Sequence, residues 1–168
     1  MNDRPSAMSK AEFVDRFGGV FEHSPWIAEG AYAGGLGEAA DNAEGLHRAM
    51  AAVLEKAEGK QKRALIVAHP DLAGRLAMAG ALTEESTGEQ TSAGLDRCSP
   101  EEFARFQELN DAYKARFGFP FVMAVKGRTR AEILLAFERR FGHDPETEFE
   151  TALREIKQIA LLRLHDLL

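Results

Sequence analysis

The chain has 168 residues, 45% of them hydrophobic, which is enough for one domain with a buried core. It carries 27 acidic against 21 basic residues and a formal net charge of -6, without a basic block, so nucleic acid and anionic membranes are excluded as expected partners. A small-molecule ligand is favoured. The lone Cys98 excludes an internal disulfide and a cysteine-rich metal site. The polar start and the lack of a long apolar run predict neither a signal peptide nor a membrane anchor, so a cytoplasmic location is expected.

Helix starts are marked in this chain by a Ser, Thr or Asp followed by an acid three residues later, or by a proline at the first helical position. Ser9 with Glu12 predicts a first helix that runs to about Phe17. Ser24, followed by a proline, predicts a short second helix. The Gly/Ala-rich stretch 33–42 that comes next is typical of a loop.

Two further helices are predicted by their apolar stripes. The third runs from about Ala43 to Glu58 and stops near Gly59. The fourth begins at Gln61 and ends at His69, because a residue that precedes proline is pushed out of the helical region. His69 is therefore expected at the end of a helix.

The second half of the chain predicts three more helices, which begin after Ser99, Thr129 and Asp144. The run 119–125 looks β-like, but one short run with a proline and no partner strand makes no sheet, so it is interpreted as an extended connection. The predicted fold is all-α: a single-domain helical bundle of about seven to eight helices over residues 9–168. Residues 1–8 are expected to form a disordered or loosely ordered N-terminus.

The last helix contains an arginine within its apolar stripe. Arg163 lies three residues after Ala160 and four after Ile159, so its guanidinium is expected to face the protein. A buried guanidinium cannot lose its charge, so it needs an anion, either a carboxylate of this chain or one on a substrate. The candidate segments for that anion are 69–72 and 86–90. The alternative is an arginine that extends from the edge of the stripe into water.

Two other side chains are candidates for chemistry. His69, whose backbone is fixed by the following Pro70, is either an acid–base group or only a cap for the helix carbonyls. Glu89 is either a site carboxylate or the partner of Ser86 in a capping box, in which it would reach back to the Ser86 amide. Gly88 in that first turn would leave backbone amides open to an anion or an imide ring.

Motifs for nucleotide binding, zinc and serine hydrolysis are absent from the sequence, and the other four histidines show no metal-ligand spacing. The amides of residues 119–127 have no expected strand partner, so they must pair with protein, water or a ligand. These observations leave a site that works without a metal or cofactor.

Four ordered segments closely resemble the OHCU decarboxylases, which act on 2-oxo-4-hydroxy-4-carboxy-5-ureidoimidazoline (OHCU) between urate and allantoin. The segments are LIVAHPDLA at 65–73, SxxEQxxAGL at 86–95, FGFPFV with VKG at 117–127, and EIxxIAxxRL at 155–164. The resemblance covers about Ser9 to Leu168. The Gly/Ala-rich loop 33–42 departs from the family pattern, and so does His143, where many relatives carry Asn; neither is expected to touch the site.

The resemblance implies an all-helical homodimer that binds a small-molecule substrate, uses no cofactor, and forms (S)-allantoin and CO2. It implies that His69 is the catalytic acid–base group and that Glu89 and Arg163 complete the catalytic set. The implied substrate-binding residues are Pro70, Ser86, Thr87, Gly88, Glu89, Gln90, Phe121, Val122, Met123, Ala124 and Val125.

Two other functions are compatible with a helical chain of this size. The first is an adaptor that binds a partner's helix in a groove without catalysis, although the exposed faces look charged and mixed rather than apolar. The second is a hydrolase for 5-hydroxyisourate, the compound that precedes OHCU. Relatives are sometimes fused to such a domain, but here the decarboxylase-like pattern occupies the whole chain.

Overall fold

In the computed structural model, which describes residues 3–74 and 79–168, every regular element is helical. Within these ranges there are eight α-helices, three short 3-10 turns and no strand, which confirms the predicted all-α class. The α-helices are α1 Lys10–Phe17, α2 Trp26–Ala33, α3 Ala43–Lys56, α4 Gly59–Val67, α5 Glu84–Ser92, α6 Pro100–Phe117, α7 Arg130–Phe141 and α8 Pro145–Leu167. None of the helices in the described ranges is long and apolar enough to cross a bilayer.

Three of the predicted helix starts are confirmed by the hydrogen bonds of their caps. The hydroxyls of Ser9 and Ser99 cap α1 and α6, and the side chains of Glu12 and Glu102 accept from the cap amides to complete two capping boxes. Thr129 caps α7 by accepting from the backbone amide three residues later. Each cap satisfies amide groups that would otherwise lack a partner in the first turn.

Two predicted boundaries are wrong in detail. Helix α2 follows Pro25, but the Ser24 hydroxyl donates to the carbonyl of Glu22 instead of capping the helix. Helix α4 ends at Val67, two residues before His69, with Ala68 as its cap. His69 therefore lies just outside the helix, in the connection that leads to α5.

The chain forms two compact units, which are Met1–Ala68 with Ile156–Leu168, and His69–Glu155. In the first unit, Phe13 is fully buried and its ring lies 5.0 Å from that of Phe17 and 5.4 Å from that of Tyr32, measured between centroids. In the second unit, the fully buried ring of Tyr113 is surrounded by four phenylalanine rings. These are Phe117, Phe119, Phe121 and Phe137, with centroids 4.5, 6.0, 5.5 and 5.8 Å away.

Part of the predicted N-terminal segment makes specific contacts. Residues 5–7 form a 3-10 turn, and Ser6 donates from its amide and its hydroxyl to the two carboxylate oxygens of Asp41, each at 2.8 Å. The Tyr32 hydroxyl donates to the carbonyl of Met8. Residues 1–2 of the predicted segment lie outside the described residues. The division into a loose terminus and a domain from residue 9 stays a prediction.

The Asp41 carboxylate is expected to stabilise the folded chain at neutral pH but not in acid. The hydrogen bond from the Ser6 amide holds the pKa of Asp41 below its ordinary value of 3.8, and the Ser6 hydroxyl adds to the effect. The stability that the Asp41 carboxylate contributes is therefore complete above its ordinary pKa and is lost as the pH falls through its lowered pKa. Asp41→Asn should melt below wild type at pH 7, whereas the exposed Asp15→Asn should not. A difference in melting temperature that persists unchanged at about pH 2 would contradict this origin.

Candidate active site

The loop that follows His69 is held by four polar side chains of the second unit. Gln90 of α5 uses both ends of its amide: Oε1 accepts from the Ala73 amide at 3.0 Å, and Nε2 donates to the Asp71 carbonyl at 3.1 Å. Three side chains of α6 complete the set. These are Gln107, which donates to the Ala73 carbonyl at 2.7 Å, Asn110, which donates to the Leu72 carbonyl at 3.0 Å, and Lys114, which binds the Asp71 carboxylate at 2.7 Å. Loop 71–73 is thereby fixed to the helix that carries Glu89.

His69 itself is buried, with 8% of its surface exposed, and Pro70 is half-buried beside it. A buried imidazole next to a proline and a tightly bonded loop has little freedom to reorient. Such a position suits a group that must present one nitrogen atom to a bound molecule.

The capping-box interpretation of Glu89 is wrong. Helix α5 begins at Glu84, and its cap is Thr83, whose Oγ1 accepts from the Ser86 amide at 3.2 Å. The Thr87 amide donates to the Thr83 carbonyl at 2.9 Å. Both amides are therefore used within the helix and do not form the open cradle that the sequence suggested. The sequence favoured Ser86 because an acid, Glu89, follows it three residues later, whereas Thr83 is followed at that spacing by Ser86.

The remaining polar positions of α5 differ in exposure. Ser86 and Gln90 are buried, at 4% and 6% exposed, Glu89 is half-buried, and Thr87 is exposed. A side chain added at Gly88 would meet no atom within 4 Å, so the glycine leaves open space on this face of the helix. The helix thus buries two polar groups on one side while Glu89 remains accessible.

Residues 119–125 form neither a helix nor a strand, so the segment is a connection between α6 and α7, as predicted. Two side chains bind its backbone. Arg140 of α7 donates from Nη1 to the Val122 carbonyl at 2.7 Å, and Glu155 of α8 accepts from the Ala124 amide at 3.1 Å. Among the predicted binding residues of this segment, Phe121, Val122 and Val125 are buried, whereas Met123 and Ala124 are partly accessible.

Arg163 is buried, at 5% exposed, in the first unit, so the alternative of an arginine that extends into water is wrong. Within the first unit its anion is the Glu22 carboxylate, which lies outside both candidate segments. Nη2 donates to Glu22 Oε2 at 2.9 Å, and Glu22 is 1% exposed. Nη1 donates to the carbonyls of Gly19 and Val20, each at 3.3 Å. Glu22 lies in a short apolar run between two helices, where no periodicity pointed to it.

The predicted site residues divide between the two units. His69, Pro70, the 86–90 stretch and the 121–125 segment all lie in the second unit, and Arg163 lies in the first. Within the second unit, the described contacts join the loop after His69 to α5 through Gln90. The sequence did not predict the α6 side chains that hold this loop. It also did not predict Arg140, which binds the backbone of the 119–125 segment.

Asn110 is expected to contribute measurably to the stability of the second unit. It is 1% exposed, its Nδ2 donates to the Leu72 carbonyl, and its Oδ1 is buried without a partner among the described residues. Asn110→Leu would leave the carbonyl without its donor, so we expect the free energy of unfolding to fall by about 1–3 kcal/mol. Urea unfolding measures this free energy. The control Asp111→Ala, on the exposed face of α6, should stay within about 0.5 kcal/mol of wild type, and equal losses for both would contradict the role of Asn110.

Comparison with known proteins identifies the family of this chain. The family model described as OHCU decarboxylase matches residues 6–165. Proteins named 2-oxo-4-hydroxy-4-carboxy-5-ureidoimidazoline decarboxylase are similar in sequence: that of Halalkalicoccus jeotgali is 44% identical over 94% of this chain and 86% of its own length. The protein of Haloferax volcanii is 46% identical over 90% of this chain and 86% of its own length, and that of Amia calva is 38% identical over 97% and 91%.

Solved structures agree. The crystal structure of an (S)-allantoin synthase matches with a TM-score of 0.77 and 31% identity, over 98% of this chain and 52% of that longer chain. A crystal structure of an OHCU decarboxylase with (S)-allantoin matches with a TM-score of 0.71 at 24% identity, which bears on the fold alone. The family match and the similarity to these decarboxylases show that the chain is an enzyme rather than a helical adaptor. It belongs to the OHCU decarboxylase family.

Proposed function

We propose that this protein is a carboxy-lyase that converts OHCU into (S)-allantoin and CO2 in urate degradation. The observation that carries the proposal is the family match over residues 6–165. The buried His69 and the loop fixed behind it by Gln90 support it, since proton transfer to a small molecule requires a positioned group.

The substrate can take up the electrons of its own decarboxylation. Its departing carboxylate and its hydroxyl share one carbon, and the neighbouring ring carbon forms a C=N bond. When the C–CO2 bond breaks, the electron pair forms a C=C bond to that neighbour while the C=N electrons move to nitrogen, which takes a proton. The resulting enol then loses its hydroxyl proton, and the ureido-bearing carbon gains a proton from one face. The protein must supply orientation, proton transfer and charge stabilisation.

We assign these roles to three side chains. His69 exchanges a proton with the hydroxyl or the reacting carbon. Glu89 orients the imidazole or accepts from ureido N–H groups. Arg163 binds an acidic or carbonyl group of the substrate, and Glu22 with the Gly19 and Val20 carbonyls fixes the direction of its guanidinium.

The substrate-binding positions are proposed from the same family pattern. Pro70 and the partly accessible part of α5 would line one side of the ligand. The backbone of the 121–125 segment would supply donors and acceptors to the ring, since it lies in neither a helix nor a strand. The residues proposed to bind substrate are Pro70, Ser86, Thr87, Gly88, Glu89, Gln90, Phe121, Val122, Met123, Ala124 and Val125.

We further propose a homodimer located in the cytoplasm. The homodimer follows the family resemblance, and the reducing compartment suits a chain whose only cysteine, Cys98, is a free thiol. Light scattering of the purified protein tests the first point, since it gives the mass directly. A mass of 18.5 kDa at micromolar concentration would contradict the dimer.

Ultraviolet absorbance tests the activity. Urate is oxidised enzymatically in the presence of a 5-hydroxyisourate hydrolase, so that OHCU accumulates, and its decay is then followed with and without this protein. We expect decay to accelerate in proportion to the concentration of this protein. If this protein instead replaced the hydrolase, the alternative function on 5-hydroxyisourate would be supported, and if it changed neither step, the decarboxylase would be rejected.

A further inference from the structure

We propose that Arg140 is a positioning residue for the reaction: it holds the 121–125 segment in the shape that binds substrate, and Glu148 holds Arg140. This inference rests on the proposed function of that segment. Neither side chain belongs to the proposed catalytic or substrate-binding set.

The contact that carries the inference is the hydrogen bond from Arg140 Nη1 to the Val122 carbonyl, at 2.7 Å. The rest of the guanidinium faces Glu148, with Nη2 at 3.0 Å from Oε2 and Nε at 3.2 Å from both carboxylate oxygens. The side chains are 4% and 0% exposed. Arg140 therefore donates in two directions at once, to the carboxylate on α8 and to the backbone of the segment, and its planar guanidinium fixes the angle between the two.

The same guanidinium also fixes the aromatic side chain of the segment. Its carbon atom lies 4.3 Å from the centre of the Phe121 ring, a cation–π contact. The opposite side of that ring stacks on Phe137, with centroids 3.9 Å apart and an interplanar angle of 9°. Phe121 is thus held between two side chains of α7, one residue before the carbonyl that Arg140 binds.

Glu148 is anchored in turn by two more groups. The Tyr113 hydroxyl donates to Oε2, and burial together with this hydrogen bond raises the pKa of Tyr113. His143 Nδ1 lies 3.0 Å from Oε1. The Arg116 side chain donates to the carbonyl of His143 at 3.0 Å. His143, expected to be remote from the site, is therefore linked to Val122 through two side chains.

Stability alone does not account for this arrangement. Replacing a buried ion pair with apolar residues of similar volume is often neutral or stabilising, so a pair of this kind gains little for the fold. Its carboxylate and guanidinium do, however, set one position for the Val122 carbonyl and one for the Phe121 ring. Both are in the proposed substrate-binding segment.

The test removes the anchor without stranding a buried charge. In Arg140→Met/Glu148→Gln, both charges are lost, and the new amide can still accept from Tyr113. Arg139→Met, at the exposed neighbouring position, is the matched control. We expect the double variant to raise KM for OHCU about tenfold or more, with a smaller fall in kcat and a modest fall in melting temperature, because the Val122 carbonyl loses its donor. Arg140→Lys should raise KM less than the double variant does, because the lysine ammonium can still reach one of the two partners, the Val122 carbonyl or Glu148.

Amide hydrogen exchange of the peptide containing 119–127 provides a readout that does not need turnover. We expect it to exchange faster in the double variant than in wild type or in Arg139→Met. A folded double variant with wild-type KM and wild-type exchange would overturn the inference. If the double variant does not fold, a folded Arg140→Lys variant with wild-type KM and wild-type exchange would overturn it instead. An inactive wild-type protein would reject the proposed function, while the exchange result would still decide whether Arg140 holds the segment.

Discussion

Arg163→Met is expected to lower the free energy of unfolding by about 3–5 kcal/mol, a large share of the roughly 5–15 kcal/mol that stabilises a typical domain. The substitution removes the guanidinium that binds the Glu22 carboxylate, which is 1% exposed, and it removes the donor that two backbone carbonyls share. Urea or thermal unfolding of the purified variant measures the loss. Methionine matches the apolar stripe of α8, so the penalty comes from the broken ion pair rather than from poor packing.

A second variant separates the structural part of Arg163 from its proposed role in binding. Arg163→Met/Glu22→Gln removes both charges and should recover most of the lost stability. Turnover of OHCU should be abolished in both variants, because methionine at position 163 cannot bind an acidic group of the substrate. A double variant that is stable and fully active would show that Arg163 only holds the fold through Glu22. A single variant as stable as wild type would contradict the ion pair.

His69→Asn is expected to lower kcat by about 10²–10⁴ while the melting temperature changes little. Asparagine is similar in size and keeps a hydrogen-bonding group, but it cannot exchange a proton near neutral pH. Steady-state kinetics on freshly generated OHCU, with circular dichroism to check the fold, give both numbers. The loop 71–73 should remain in place, since Gln90 and the α6 side chains bind its backbone rather than the imidazole.

His165→Asn is the matched control for that experiment. His165 is half-exposed on the last turn of α8, 3.3 Å from the Glu44 carboxylate, so its loss should leave kcat near wild type. If His69→Asn turned over as fast as this control, His69 would have only a structural role.

The class of fold and most helix starts could be predicted because they depend on local patterns. A serine with an acid three residues later, or a stripe of apolar residues, is visible in a short window of sequence. Ser9, Ser99 and Thr129 cap their helices as expected. The cap of α5 was misplaced because Ser86 fits this local rule and Thr83, which has no acid three residues later, does not, although Thr83 caps the folded helix.

The partners of the buried charges could not be predicted, because they are distant in sequence. Glu22 and Arg163 are separated by 141 residues, and nothing local pairs them. The burial of Arg163 itself could be predicted from the apolar stripe in which it lies. The same rule applies to Arg140, which follows Ile133, Ala136 and Phe137 at helical spacing. An arginine within an apolar stripe therefore predicts a buried ion pair, but only the structure identifies the carboxylate.

The most direct test of the proposed function is the handedness of the allantoin produced. OHCU is generated from urate with a 5-hydroxyisourate hydrolase, this protein is added, and the circular dichroism of the solution is followed until absorbance is constant. A site that protonates the intermediate from one face should give the full signal of (S)-allantoin, and His69→Asn should give little signal in the same time. Decay to racemic allantoin at the rate of the protein-free control would contradict the account.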